Sequence, residues 1–151
     1  MTRERRRAGV RGAGTGGARR GNARGRAGAA SRAARDPYPQ GSVVLVPFPF
    51  TDLSGTKQRP AVVVSPPDFH PQDVVLCAVT SQVPSRLTRW ELPLGVNDVV
   101  ERRLPQPSVI LTGKLFTVHL SLIRSRLGHL ERSKLGQVLE RLQLLFATRA
   151  R

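Results

Sequence analysis

Two short stretches of this chain hold residue types that could work on a phosphodiester. Lys57-Gln58-Arg59-Pro60 places a guanidinium where a polar loop runs into an apolar segment. Thr80-Ser81-Gln82 places a hydroxyl and an amide at the end of another apolar segment. RNA is cut when its own 2′-hydroxyl attacks the adjacent phosphorus in line. That step needs a proton acceptor at the 2′-oxygen, a donor for the 5′-oxygen, and cations or N–H groups on the crowded phosphoryl oxygens. A planar guanidinium grips two phosphate oxygens at once, so Arg59 suits the clamp and serves poorly as a base. The Thr80 hydroxyl could hydrogen-bond a phosphoryl oxygen or orient the 2′-hydroxyl. Ser81 and Gln82 directly after it, and Thr51, Asp52, Ser54 and Lys57 in the loop before Arg59, are polar groups that could hold bases and sugars.

Other groups fit chemistry less well. His70 lies between Asp68 and Asp73, but the Pro67–Pro71 segment reads as a turn and a fourth metal ligand is missing, so no metal is expected. His119 follows a strand and could shuttle a proton, but a surface or helix-start position fits it better. His129 follows Gly128 and reads as a turn residue. The single cysteine, Cys77, sits mid-strand among apolar neighbours and reads as inert core. Trp90 could stack on a base, but a place in the barrel core fits it better. Gly12-x-Gly14-x-x-Gly17 has no strand before it and no helical pattern after it, and Ser54-x-x-Lys57 lies in the wrong context for a nucleophile pair.

The elements that must position Arg59 and Thr80 are mostly strands. Val43–Val46, Ala61–Ser65 and Asp73–Thr80 are short, β-branched runs bounded by Gly, Pro or polar residues. Trp90-Glu91-Leu92 reads as a short fourth strand. Ser108–Thr112 and Lys114–Val118 form one long strand or two halves, with a bulge at Gly113. Leu120–Arg126 reads as a short helical piece stopped by Gly128. Leu135, Val138, Leu139, Leu142, Leu145 and Phe146 make one apolar stripe of a helix over residues 131–147. About five strands and a closing helix predict an α+β fold, mainly β: a small, strongly bent barrel with a helix packed on it.

Composition sets the class of partner. The 151 residues hold 25 Lys+Arg against 10 Asp+Glu, for a net charge of +15. Residues 1–36 hold 11 Arg against two acids, a net +9, in an Arg/Gly/Ala-rich stretch whose only branched aliphatic residue is Val10. Such a segment buries too little apolar surface to offset its ordering entropy and is expected to be disordered, with the folded domain spanning residues 37–151. Its Arg-Gly steps are similar to tails that bind RNA without sequence preference. Equally, Arg outnumbers Lys 22 to 3, as in GC-rich genomes, and the tail could be translated upstream sequence. The excess of positive charge points to a polyanionic partner. One cysteine excludes an intramolecular disulfide framework. No apolar run reaches the roughly 18 residues that cross a bilayer, and no secretory pattern follows the basic start, so the expected compartment is the cytoplasm, with no membrane partner.

In order, Gly41-x-Val43-Val44-Leu45-Val46-Pro47-Phe48-Pro49-Phe50, Lys57–Ser65, Cys77-Ala78-Val79-Thr80-Ser81-Gln82, Pro107-Ser108-Val109, Lys114-Leu115-Phe116-Thr117 and Ile123…Leu127-Gly128-His129-Leu130 resemble the MazF/PemK (Kid) family over residues 40–147. These are toxins of type II toxin–antitoxin pairs. The resemblance implies a Src-homology-3-like barrel of the MazF/PemK/CcdB type, usually a homodimer, that cuts single-stranded RNA at short sequences without metal or other cofactor. It assigns Arg59 and Thr80 as catalytic, the loop from Thr51 to Lys57 as a cover over the RNA groove, and Ser108 as a small polar residue of the site. Phe116 stands where some members carry Arg, and Lys114 is the cation expected in its place. An acidic antitoxin would lie over the basic groove. The competing reading is a binding module or contact poison on the same barrel, as with the gyrase inhibitor CcdB. That function has no need of the Arg59/Thr80 pair.

Overall fold

The computed structural model describes residues 36–48 and 57–149. The expectation of a disordered tail therefore lies outside the described residues, apart from Asp36, as do Thr51, Asp52 and Ser54. Among the described residues seven strands follow in chain order: β1 (Ser42–Pro47), β2 (Gln58–Val63), β3 (Asp73–Thr80), β4 (Glu91–Leu94), β5 (Val99–Val100), β6 (Ser108–His119) and β7 (Ser125–Leu130). One helix, α1 (Arg132–Phe146), closes the fold. The strands form one antiparallel sheet in the order β4-β6-β3-β2-β1-β7-β5, curled into a half-barrel.

Side-chain alternation builds a core on each face. Val43, Val62, Cys77, Val79, Ile110 and Leu130 point to the face that α1 covers through Val138. Val44, Val46, Ala61, Val63, Val74 and Leu76 point the other way, toward Tyr38, Phe116 and Leu120. The three central strands are therefore buried on both faces, which is why they read as unbroken apolar runs rather than alternating ones. Each fully buried Leu or Ile contributes roughly 1.5–3 kcal/mol.

Gly113 does sit in a bulge. Cys77 and Ala78 are neighbours on β3, yet they face Leu115 and Leu111 on β6, so residues 112–114 have no β3 partner. The two expected halves are one strand bent at this point. α1 begins where the side chain of Glu131 accepts from the Ser133 N–H at 3.0 Å. The C-terminal end of the apolar stripe is not covered, and Phe146 is 72% exposed.

Three expectations are corrected. Leu120–Leu122 is a single 3₁₀ turn, and Ser125–Leu130 is a strand rather than a helix. Local periodicity there gives way to the open edge of β1, whose Ser42–Leu45 pair with residues 125–129. Gly128 is accordingly no helix stop. It lets β5 approach, since a Cβ there would lie 2.5 Å from the Val100 carbonyl oxygen. His129 is a strand residue, its ring wedged between the Gln40 and Leu130 carbonyls at 2.9 and 2.7 Å. The two-residue β5 gives no periodicity to detect in sequence.

Candidate active site

β2 and β3 carry the two candidate catalytic residues, and one proline shapes the gap between them. The β2–β3 register pairs Val63 with Leu76, Val62 with Cys77 and Ala61 with Ala78. Beyond Val63, the Val64 N–H donates to the Val75 carbonyl at 2.9 Å. The alternation of hydrogen-bonded pairs then places Pro60 opposite Val79 at a donor position, and proline has no N–H to give. The ladder ends at Ala61. Two residues further along each strand, Arg59 and Thr80 fall on the face that carries Ala61 and Ala78.

Two clefts open at this end of the sheet, and Arg59, Thr80 and Gln82 line both. The larger, about 540 Å³, is lined also by Lys57, Ser81 and Ser108. The smaller, about 280 Å³, is lined also by Phe48, Glu91 and Lys114. Every candidate residue within the described part of the chain thus lines one or both clefts, Lys114 on a different side from Lys57, Ser81 and Ser108.

The geometry gives each group a use. The Arg59 guanidinium lies 5.6 Å from the centre of the Phe48 ring, and Phe48 meets Phe116 edge-on at 5.5 Å. Phe116 thus supports the ring beneath Arg59, and Lys114, two residues away, supplies the second cation of the smaller cleft. The Thr80 hydroxyl accepts the Gln82 N–H at 3.1 Å, which leaves its own O–H to donate. Ser108 is buried, and its hydroxyl donates to the Gln106 carbonyl at 3.3 Å.

The remaining candidates have structural places. His70 Nδ1 accepts from the Gln72 and Asp73 N–H groups, both at 3.1 Å, and forms the turn. His119 caps the 3₁₀ turn by accepting from Ser121. Cys77 is fully buried, and burial pushes its thiol pKa up to about 12. Trp90 is not in the core. It is half-buried, with the Arg89 guanidinium 4.8 Å from its ring centre. Among the described residues, no three His, Cys, Asp or Glu side chains gather as a metal site would require, and no helix is long and apolar enough to cross a membrane.

Four further residues line the clefts without having stood out in the sequence. Leu104, Pro105 and Gln106 line the larger cleft from the loop before β6. Glu91 lines the smaller, although it reads in sequence only as a strand residue. The one signal was a carboxylate at an alternating position between Trp90 and Leu92.

Similar architecture occurs in solved toxins. The Mycobacterium tuberculosis toxin MazF-mt6 superposes with a TM-score of 0.55 at 19% identity, covering 70% of this chain and 95% of that one. An endoribonuclease in complex with its cognate antitoxin, from a mycobacterial species, gives 0.55 at 19% identity, covering 74% and 98%. The MazE–MazF structure from Deinococcus radiodurans gives 0.55 at 24% identity, covering 71% and 94%. No curated protein sequence matches the chain. The profile of the PemK-like, MazF-like toxins matches residues 39–146, which takes in every strand, both clefts and all of α1. With that match over most of its length, the chain belongs to the PemK-like, MazF-like toxin family of type II toxin–antitoxin systems.

Proposed function

We propose that this protein is a sequence-specific endoribonuclease that cuts single-stranded RNA through its own 2′-hydroxyl, without a metal ion. The observation that carries this reading is the convergence of Arg59 and Thr80 on shared clefts at the open end of the β2–β3 ladder. Arg59 clamps the phosphoryl oxygens, and the Thr80 O–H donates to one of them as charge builds up. Lys57 and Lys114 attract the backbone from either side, while Ser81, Gln82 and Ser108 meet sugars and bases. Chain cleavage leaves a 2′,3′-cyclic phosphate and a 5′-hydroxyl. The protein acts as a cytoplasmic homodimer, restrained by an acidic antitoxin laid over the basic clefts. A similar fold is seen in an endoribonuclease bound to its cognate antitoxin.

The test is a long RNA incubated with purified protein in EDTA, beside Arg59→Ala. Discrete fragments ending in cyclic phosphate are expected from the wild type and none from the variant. Equal cutting by both, or smooth degradation, would overturn the assignment and leave the same barrel as a binding module.

A further inference from the structure

In-line cleavage needs a group that removes the 2′-hydroxyl proton. Neither Arg59 nor Thr80 suits that task, because a guanidinium stays protonated and a threonine hydroxyl is far too weak a base. No histidine lines either of the two clefts that hold Arg59 and Thr80. Among the described residues lining them, Glu91 is the one carboxylate.

Register puts Glu91 on the working face. Glu91 pairs with Leu111, Leu111 with Ala78, and Ala78 with Ala61, so all four point to one side of the sheet. Thr80 and Arg59 lie two residues along from Ala78 and Ala61 on that same side. The charged groups lining the cleft with Glu91 are Arg59 from β2 and Lys114 from β6. A lone carboxylate would repel RNA, but in a cleft that also holds two cations it can approach a phosphodiester. Its position is held locally. Glu91 Oε2 accepts the Thr88 N–H at 3.1 Å, and the Glu91 N–H donates to the Thr88 carbonyl at 3.2 Å. Its second oxygen has no partner among the described residues.

We infer that Glu91 is the general base for RNA cleavage, an assignment that rests on the nuclease reading above. The carboxylate takes the 2′-hydroxyl proton as the 2′-oxygen bonds to phosphorus. The P–O5′ bond breaks, its electron pair stays on the 5′-oxygen, and that oxygen takes a proton from water. The protonated Glu91 then neutralises the hydroxide formed, so protons balance over the cycle.

Glu91→Gln tests this, since the amide keeps the size of the side chain and an oxygen to accept the Thr88 N–H. Single-turnover cleavage is expected to fall about 10²–10⁴-fold. Binding of an all-2′-deoxy analogue should stay as in the wild type, and the acid limb of the pH–rate profile should disappear. A variant that cuts at the wild-type rate while Arg59→Ala is inactive overturns the role of Glu91 and leaves the nuclease reading intact. Parallel loss of cleavage and analogue binding also overturns it, by making Glu91 a structural residue. A wild type that cuts no RNA overturns both readings.

Discussion

Pro60 of β2 faces Val79 of β3 at a position where the ladder calls for an N–H, and Pro60 has none. The strands stop pairing there, and Arg59 and Thr80 lie one residue beyond, at the mouth of the clefts. A residue that weakens the sheet therefore helps make room for a ligand. Proline also confines the preceding Arg59 to extended backbone, which holds its side chain on the face it shares with Thr80.

Restoring the missing donor should close part of this opening. In Pro60→Ala, a new hydrogen bond to Val79 would contribute about 0.5–1.5 kcal/mol. Losing the rigidity of proline costs about 0.4–1 kcal/mol. Stability in urea is therefore expected to change little, while cleavage falls. Hydrogen exchange should find the new amide at residue 60 protected, and an unprotected amide with full activity would show that the cleft does not depend on this gap.

Phe48 and Phe116 form the platform under Arg59, at 5.6 Å from guanidinium to ring and 5.5 Å from ring to ring. A cation–π contact at a partly exposed site is worth about 0.5–1 kcal/mol. Phe116→Leu keeps the apolar contact but removes the edge-on partner. RNA cleavage is expected to drop about 2- to 5-fold on that scale, with binding of the uncleaved analogue less affected. Phe116→Arg places another cation at this point and is expected to steepen the salt dependence of RNA affinity.

Gly128 marks the tightest passage between β5 and β7. A Cβ there would lie 2.5 Å from the Val100 carbonyl oxygen and 2.7 Å from Val99 Cγ1, so backbone must move. Gly128→Ala is expected to cost about 1–3 kcal/mol, read as a lowered urea midpoint. Gly113→Ala, whose Cβ would meet nothing within 4 Å, serves as the control and should leave the midpoint near the wild type.

Cys77 gives a pH dependence with a defined sign. Its thiol titrates at about 12 in the folded chain against 9.0 for the reference group, because burial disfavours the thiolate. The unfolded chain loses this proton first. Stability from this group is complete below about pH 9 and is lost as pH rises from there through 12. Denaturation curves across that range should show Cys77→Ala with a shallower alkaline decline than the wild type. A thiol reagent at pH 8 should label Cys77 only in the unfolded chain.

Much of this protein can be read from its residues in order. The runs Val43–Val46, Ala61–Ser65 and Asp73–Thr80 read as strands, since short β-branched runs between Gly, Pro and polar residues have few other solutions, and the second of them ends at Val63 in the fold. The spacing of Leu135, Val138 and Leu142 specified a helix with one apolar face, and Gly113 marked the bulge in β6. Arg59 and Thr80 stood out because both fall in the motifs that resemble the MazF/PemK family, each where a polar segment meets an apolar strand. Tertiary structure decided what depends on distant partners. Ser125–Leu130 became a strand because the edge of β1 offered hydrogen bonds that a local helix could not match. Glu91 reached the cleft through three successive cross-strand pairings, none of them visible in its own neighbourhood of the chain. Side-chain type and period are local properties. Which side chains share a cleft is set by register between strands far apart in sequence, and register is fixed only when the whole sheet is assembled.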